Sequence, residues 1–226
     1  MRKWIRNNRG LIAVLLMFGL FRTAVADWNP VPSGSMRPAI QEGDVVLVNR
    51  LAYQLKVPLT NVVVARTGDP ARGDIVTFES PVDGTRLLKR VAAVPGDRVE
   101  MRNKVLWVNG HPASYALLGT VSERAPDGSA IAAVRLAETM AGTRRVVQWL
   151  RPQGDFAYDS FGPLVVPADH FLMLGDNRDN SADSRVFGFV PRALLIGRTS
   201  RILVSADIEG DWAPQFDRFG KRLDSP

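Results

Sequence analysis

The stretch Leu87-Leu-Lys-Arg-Val-Ala-Ala-Val-Pro-Gly-Asp97 decides the fold of this chain. It is an apolar run that stops at a Pro-Gly-Asp turn, as a strand does. Strand alternation places Lys89 and Arg90 on opposite faces of the sheet. The lysine either guards an edge strand against aggregation or lies desolvated with a lowered pKa, as a neutral amine that accepts a proton.

Short strands separated by Gly, Pro and Asp turns surround this stretch. The pattern predicts strands over residues 44–48, 74–78, 171–174 and 199–204 and a hairpin formed by residues 98–101 and 105–108. We therefore expect a mostly β chain from residue 27 onward.

Two parts of the chain differ from this pattern. Residues 112–165 are richer in Ala, Gly and Thr, and we interpret them as an inserted lobe. Residues 206–226 are mixed and charged, and we expect them to pack loosely on the surface.

Positive charge is concentrated at the N-terminus. The chain has 29 basic and 23 acidic residues, a net charge of +6. Five of the basic residues and none of the acidic ones lie in the first 22 positions, which leaves 24 against 23 for the rest. A nucleic-acid-binding surface is therefore not indicated.

An uncharged run of eleven residues, 11–21, follows the first basic residues. A membrane helix needs about 20 apolar residues, whereas eleven suits the core of a secretory leader, and Ala24-Val25-Ala26 has the A-x-A form of a cleavage site. Alternatively, residues 4–26 form one membrane helix whose arginines reach the interfaces. Either way the basic end stays in the cytoplasm and the rest is exported.

Composition excludes several classes of protein. A hydrophobic fraction of 46% and a charged fraction of 23% are those of a folded soluble domain, not of a polytopic membrane protein or a disordered chain. The absence of cysteine excludes disulfides, thiolate zinc sites and cysteine nucleophiles. With only two histidines, a histidine-rich metal site is not expected.

Two further segments are polar and rich in turns. Pro32-Ser-Gly-Ser-Met36 is either linker or a tight turn in which Gly34 adopts a conformation that other residues resist, exposing one hydroxyl. Gly175-Asp-Asn-Arg-Asp-Asn-Ser-Ala-Asp-Ser-Arg185 is either a solvent loop or a structured loop that holds a neighbour. Its arginines and the missing final Glu count against calcium binding.

A serine nucleophile at Ser35 would need a base. His111 and His170 lie beside a turn and before a strand, where structural roles are more common. A Ser-Lys pair is the remaining arrangement.

In this order, the segments resemble the boxes of bacterial type I signal peptidases, the Ser-Lys leader peptidases. The four matching segments are Pro32–Met36, Arg72-Gly-Asp-Ile-Val76, Lys89-Arg90 with Pro95-Gly-Asp97, and Gly175–Arg185 followed by Gly188. The similarity runs from about residue 28 to 205 and is loosest between 112 and 165. Ala93 stands where the family usually has glycine, and Leu87 where an aromatic residue is frequent, which puts substrate preference in doubt.

The resemblance implies a mechanism. Ser35 would attack the scissile carbonyl of an exported preprotein, and neutral Lys89 would carry the proton to the leaving amine. The Ser35 N–H and the Ser33 hydroxyl would form the oxyanion hole. Ser181 would hydrogen-bond Lys89 and orient it.

The resemblance also implies the surroundings of the site. Arg90 with Asp176 and Arg185 with Asp183 would form structural ion pairs. The substrate would add as a strand along residues 86–89, with alanine in small apolar pockets. The residues expected to bind it are Val31, Met36, Arg86, Leu87 and Leu88.

The implied architecture is an antiparallel β-sheet catalytic domain with a smaller inserted cap lobe, preceded by one N-terminal membrane helix. Residues 1–26 would be the cytoplasmic basic end and a retained anchor, with Ala24–Ala26 a candidate self-cleavage site, residues 27–208 the peptidase domain, and residues 209–226 a tail. We expect a monomer in the inner membrane that meets preproteins and lipid, without nucleic acid, cofactor or metal.

Two alternatives stay open. One is a specialised Ser-Lys peptidase with a narrow substrate, such as a conjugative pilin subunit. The other is a secreted, non-enzymatic β-rich binding protein in which residues 1–26 are a cleaved leader.

Overall fold

The computed structural model describes residues 2–58, 60, 62–124, 129–150 and 158–223. Strand accounts for 49% of the chain and helix for 14%. All named strand pairs are antiparallel. The predicted mostly β, antiparallel class is confirmed.

Three α-helices lie in the described residues: α1 (Arg2–Asn7), α2 (Arg9–Ala24) and the single turn α3 (Ser184–Phe187). Within these ranges, no helix has both the length and the apolar character needed to cross a membrane. The structure therefore does not show the membrane helix that the sequence predicted over residues 1–26.

The strands of the described residues are, in chain order, β1 (Ala26–Pro30), β2 (Asp44–Asn49), β3 (Gln54–Lys56), β4 (Val63–Arg66), β5 (Ile75–Glu79), β6 (Arg86–Ala93), β7 (Arg98–Arg102), β8 (Val105–Val108), β9 (His111–Pro112), β10 (Ser114–Arg124), β11 (Ala130–Met140), β12 (Thr143–Leu150), β13 (Phe161–Val165), β14 (His170–Leu174), β15 (Val190–Pro191) and β16 (Leu195–Ser205). Each strand predicted from the sequence is among them.

The main sheet has seven strands in the order β1-β2-β16-β5-β6-β14-β15. β6 pairs with β5 over residues 86–90, whereas β14 pairs with it only from Arg90 onward. Residues 86–89 of β6 therefore keep one edge without a partner among the described strands. The sheet also coils, because Arg86 Nη1 reaches Asp27 at 3.2 Å and Asn29 at 2.5 Å, although β1 lies at the far end of the strand order.

Three smaller sheets complete the fold. β3 and β4 form a hairpin, β10, β11 and β12 form a three-stranded sheet, and β13, β7, β8 and β9 form a four-stranded one. The expected lobe, 112–165, is thus divided. Its central strands form their own sheet, whereas β13 pairs with β7 and Pro112 belongs to β9. Residues 125–128 and 151–157 of this lobe lie outside the described residues.

β6 crosses a close-packed part of the core. Val91 packs with Phe78, Phe171 and Met173, and each of these side chains is at most 1% exposed. Burying an apolar side chain of this size contributes about 1.5–3 kcal/mol. The strand that carries Lys89 and Arg90 is therefore firmly held.

The C-terminal tail packs more closely than the sequence predicted. Arg218 is buried and donates to both oxygens of Asp44, at 2.8 and 2.5 Å, and Leu223 belongs to the core cluster beneath the main sheet. The expectation of loose packing was wrong. The sequence of a charged tail does not show which buried carboxylate in the fold its arginine will bind.

Candidate active site

Ser35 lies in a single 3-10 turn, Gly34–Met36, shortly after β1. Met36 is buried in the core and fixes the turn, while Ser35 stays half-buried. Gly34 does not have the positive φ that the sequence suggested. A Cβ at this position would instead fall on the Glu42 carboxylate, which Arg37 holds at 2.7 Å. Close approach, not an unusual dihedral angle, favours glycine here.

Lys89 reaches this turn from β6. A hydrogen bond of 2.5 Å joins its Nζ to Ser35 Oγ. Lys89 is only 3% exposed, so the explanation that it guards a solvent-facing edge is wrong. Its neighbour Arg90 points to the other face and is also buried, as strand alternation predicted.

Burial lowers the pKa of Lys89 from 10.5 to about 8. The carboxylates of Asp183 and Asp176 oppose this effect, and the guanidinium of Arg185 adds to it. Desolvation is the largest cause because an ammonium ion loses its hydration in this site. At pH 7 about one molecule in ten then carries the neutral amine that can accept a proton.

Two ion pairs hold the loop after β14. Arg90 donates to both oxygens of Asp176, at 2.8 and 2.7 Å, and Arg185 donates to both oxygens of Asp183 at 2.8 Å. Burial raises the pKa of Asp183, but the hydrogen bonds and charge of Arg185, together with the Gly175 N–H and the nearby Ser181 hydroxyl, outweigh it and keep the pKa below its usual value. The loop is structured, and one of its pairs fastens it to the strand that carries Lys89.

Gly175 is the first residue of this loop, and its surroundings leave no room for a side chain. A Cβ there would lie 2.6 Å from the Ser35 carbonyl oxygen and would also overlap the Ser181 side chain. The backbone at Gly175 thus packs directly against the nucleophile turn.

Side chains of the two remaining matched segments, residues 72–76 and 95–97, hold the ends of β5 and β6. Arg72 and the main-chain N–H of Val94 both donate to Asp97, at 2.7 and 2.9 Å. Asp74 accepts from the Tyr53 hydroxyl at 2.9 Å. These contacts are structural, since they stabilise the turns beside the site.

A cleft of about 530 Å³ opens beside Ser35 and Lys89. Its walls include Val31 and Met36 on one side and Leu88 on the other, and Arg86 and Leu87 also line it. The open edge of β6, residues 86–89, borders the same cleft. An extended peptide laid along this edge would pass the Ser35 hydroxyl.

Comparison with known proteins identifies the family. The model of the family described as "Signal peptidase, peptidase S26" matches residues 1–204. The chain belongs to this signal peptidase family. It is therefore a serine peptidase that removes signal peptides, and the non-enzymatic binding protein considered from the sequence was the wrong alternative.

Individual relatives agree with the family. The chain is 32% identical to signal peptidase I of Pseudomonas fluorescens over 96% of this chain and 78% of that one. It is 33% identical to signal peptidase I of Rickettsia typhi over 84% and 76% of the two chains. A crystal structure of a signal peptidase I from Enterococcus faecalis matches 57% of this chain and 96% of its own, at 30% identity with a TM-score of 0.34.

Ser33 and Ser181, which the family pattern also selects, lie near the Ser35 turn. Ser33 is exposed, lines the cleft and does not cap the turn with its side chain. Ser181 Oγ is buried near the Asp183 carboxylate without a hydrogen bond of standard geometry. The expected hydrogen bond from Ser181 to Lys89 is not formed among the described residues, so its orienting role stays a prediction.

Asn177 is a residue that the sequence reasoning missed. Its main-chain N–H donates to the Ser35 carbonyl at 3.1 Å, and its Nδ2 donates to the Gly34 carbonyl at 3.0 Å. Gln148 of β12 holds the residues on either side of Asn177. Its N–H donates to the Asp176 carbonyl, and its carbonyl accepts from the Arg178 N–H. The inserted sheet thereby braces the loop that holds the nucleophile turn. The sequence did indicate that the polar loop 175–185 is structured. However, no spacing rule distinguishes Asn177 from the other asparagine in this loop.

Among the described residues, neither histidine forms a hydrogen bond to Ser35 or Lys89. His111 is exposed on β9, and His170 Nδ1 contacts the Ala168 carbonyl. In the part of the chain that the structure describes, no three His, Asp or Glu side chains converge as metal ligands would.

Proposed function

We propose that this chain is a membrane-anchored endopeptidase that cleaves exported preproteins after small residues, with Ser35 as nucleophile and Lys89 as general base. The reaction follows from the family. The observation that carries the residue assignment is the 2.5 Å contact between Ser35 Oγ and the Nζ of a buried lysine.

The proposed reaction has two halves. In the first, the Ser35 hydroxyl proton moves to neutral Lys89 as Oγ attacks the scissile carbonyl, and Lys89 then protonates the leaving amine. In the second, a water molecule loses a proton to Lys89 as it attacks the acyl ester, and that proton returns to Ser35 Oγ. The dyad ends in its starting state, so no external acid or base is consumed.

The oxyanion hole would use the Ser35 N–H and the Ser33 hydroxyl. Ser33 supports this role because its side chain is exposed in the cleft and is not occupied in capping the 3-10 turn. Such donors act on the charge that develops in the transition state, and losing one typically lowers kcat by about 10²–10³-fold.

Substrate would bind as an added strand along the open edge of residues 86–89. Main-chain hydrogen bonds would provide affinity, and alternate side chains would enter the pockets. Val31, Met36 and Leu88 make the walls apolar and leave room for small residues. This supports cleavage after an A-x-A pattern, with Leu87 and Arg86 next to the bound strand.

Residues 1–26 would be retained as a single anchor with a cytoplasmic N-terminus. Support comes from four basic and no acidic residues ahead of the uncharged run 11–21. Arg22 also stacks over Trp28 at 4.3 Å and pairs with Asp27 at 3.0 Å, which fixes the end of α2 to β1. Tryptophan and arginine are common at membrane interfaces.

This assignment sets the proposed organisation of the whole chain. Residues 27–208 form the extracytoplasmic peptidase domain, with the insertion at 112–165, and residues 209–226 the tail. The partners are preproteins and membrane lipid, and the enzyme works as a monomer in the inner membrane without nucleic acid, cofactor or metal.

Cleavage of a purified preprotein with an A-x-A site tests the assignment. We expect the wild type to cut after that site and Ser35→Ala and Lys89→Ala to be inactive but folded. Lys56→Ala is the matched control, because Lys56 is a second buried lysine, and its ammonium donates to main-chain carbonyls away from the cleft. Full activity of Lys89→Ala would show that the base is wrong, and cleavage confined to one pilin-like subunit would favour the specialised peptidase.

A further inference from the structure

A second cavity, of about 480 Å³, lies on the side of β6 away from the cleft. Lys89 lines the cleft and Arg90 lines this cavity, on opposite faces of the strand. The inserted sheet, the segment just after the nucleophile turn and the C-terminal tail meet around it. We call it the basic cavity.

Six cationic side chains line the basic cavity, and its described lining contains no carboxylate. The six are Arg90, Arg135, Arg145, Arg218, Lys221 and Arg222. Clusters of this kind repel themselves unless anions are near.

Charge at the floor of the cavity is incompletely neutralised. Arg90 is matched by Asp176 and Arg218 by Asp44, but Arg145 and Arg178 share a single carboxylate, Glu138. Burial, together with the positive charges of Arg178 and Arg90, lowers the pKa of Arg145 despite the attraction of Glu138. A buried group with net positive charge gains most from one additional anion.

The side chains at the mouth of the cavity are more exposed than those at its floor. Lys221 and Arg222 are exposed, so their side chains can adjust to a ligand, whereas Arg135 is one-third exposed and pairs with Glu123. Leu118 and Val146, both exposed, add an apolar rim. Guanidinium groups match the oxygens of a phosphate in a bidentate manner.

We propose that the basic cavity binds a phosphate-bearing anion. The anion would join the inserted sheet to the tail and stabilise both. Its source is either free phosphate or the headgroup of an anionic phospholipid. The proposal is independent of the peptidase assignment, since it uses the opposite face of β6.

Calorimetric titration of the full chain in detergent micelles with inorganic phosphate tests the site. We expect saturable binding to the wild type and an affinity about tenfold or more weaker in the double variant Lys221→Gln/Arg222→Gln, because each charged hydrogen bond is worth that much. Arg144→Gln is the matched control, since this exposed arginine lies on the opposite face of β12 from Arg145 and does not line the cavity.

Short-chain lipids distinguish the two sources. Competition with phosphate by dihexanoyl phosphatidylglycerol but not by dihexanoyl phosphatidylcholine would assign a lipid headgroup, and no competition would assign free phosphate. The proposal is overturned if neither phosphate nor phosphatidylglycerol binds saturably to the wild type. It is equally overturned if Arg144→Gln weakens binding as much as the double variant does.

Discussion

Replacing Lys89 by methionine should change the pH dependence of stability. Methionine keeps the length of the side chain and removes its charge. In the wild type the pKa of Lys89 is 10.5 when unfolded and about 8 when folded. At about 1.4 kcal/mol for each pKa unit, burying the ammonium form costs on the order of 3 kcal/mol.

The sign of the effect follows from proton counts. Below pH 8 Lys89 is protonated in both states, and the folded state bears the full cost. Between pH 8 and 10.5 the unfolded chain binds more protons than the folded one, so the wild type gains stability as the pH rises. The advantage of Lys89→Met over the wild type should shrink by about 2.5 kcal/mol between pH 7 and pH 10.

Urea unfolding of both full chains in detergent, at each pH unit from 6 to 10, measures this difference. Taking the difference cancels the other titrating groups, and Lys3→Met controls for the loss of one positive charge from an exposed lysine. A difference that stays constant to within about 0.5 kcal/mol from pH 7 to 10 would refute a lowered pKa for Lys89.

Three other outcomes are expected. The pH profile of kcat/KM should rise to a plateau with an apparent pKa near 8, as the folded pKa of Lys89 requires, and a rise only near the free-lysine value of about 10.4 would contradict the assignment. Asn177→Ala should lower kcat on the order of 10²-fold by releasing the Ser35 turn, with KM, the apparent pKa and the thermal unfolding temperature unchanged, whereas a large fall in the unfolding temperature would indicate general misfolding. Arg218→Ala should destabilise the fold by about 3–5 kcal/mol in thermal unfolding because Asp44 is left buried and unpaired, and a loss below about 1 kcal/mol would mean that the tail is dispensable.

The strands were predictable because their signals are local. Turn residues and apolar runs located the strand cores, and the order of the matching segments led to Ser35 and Lys89, which the structure brings within 2.5 Å of each other. The positions of Asn177 and Arg218 were not predictable, since each depends on a carbonyl or carboxylate distant in sequence. Gly34 shows a further limit, because glycine signals either positive φ or close approach, and only the contact with Glu42 distinguishes them. The division of the inserted lobe had the same origin, since the pairing of β13 with β7 is set by tertiary structure.

The hydrogen bonds of Gln148 limit how the insertion of this chain can be changed. Its N–H and carbonyl hold the main chain on either side of Asn177, which in turn holds Ser35. The end of β12 acts as a fixed attachment point, and Glu123 at the end of β10 is a second one, because it pairs with Arg37 just after the Ser35 turn. A chimera that exchanges the three-stranded sheet should therefore remain active only if the graft keeps a strand in the register of Gln148.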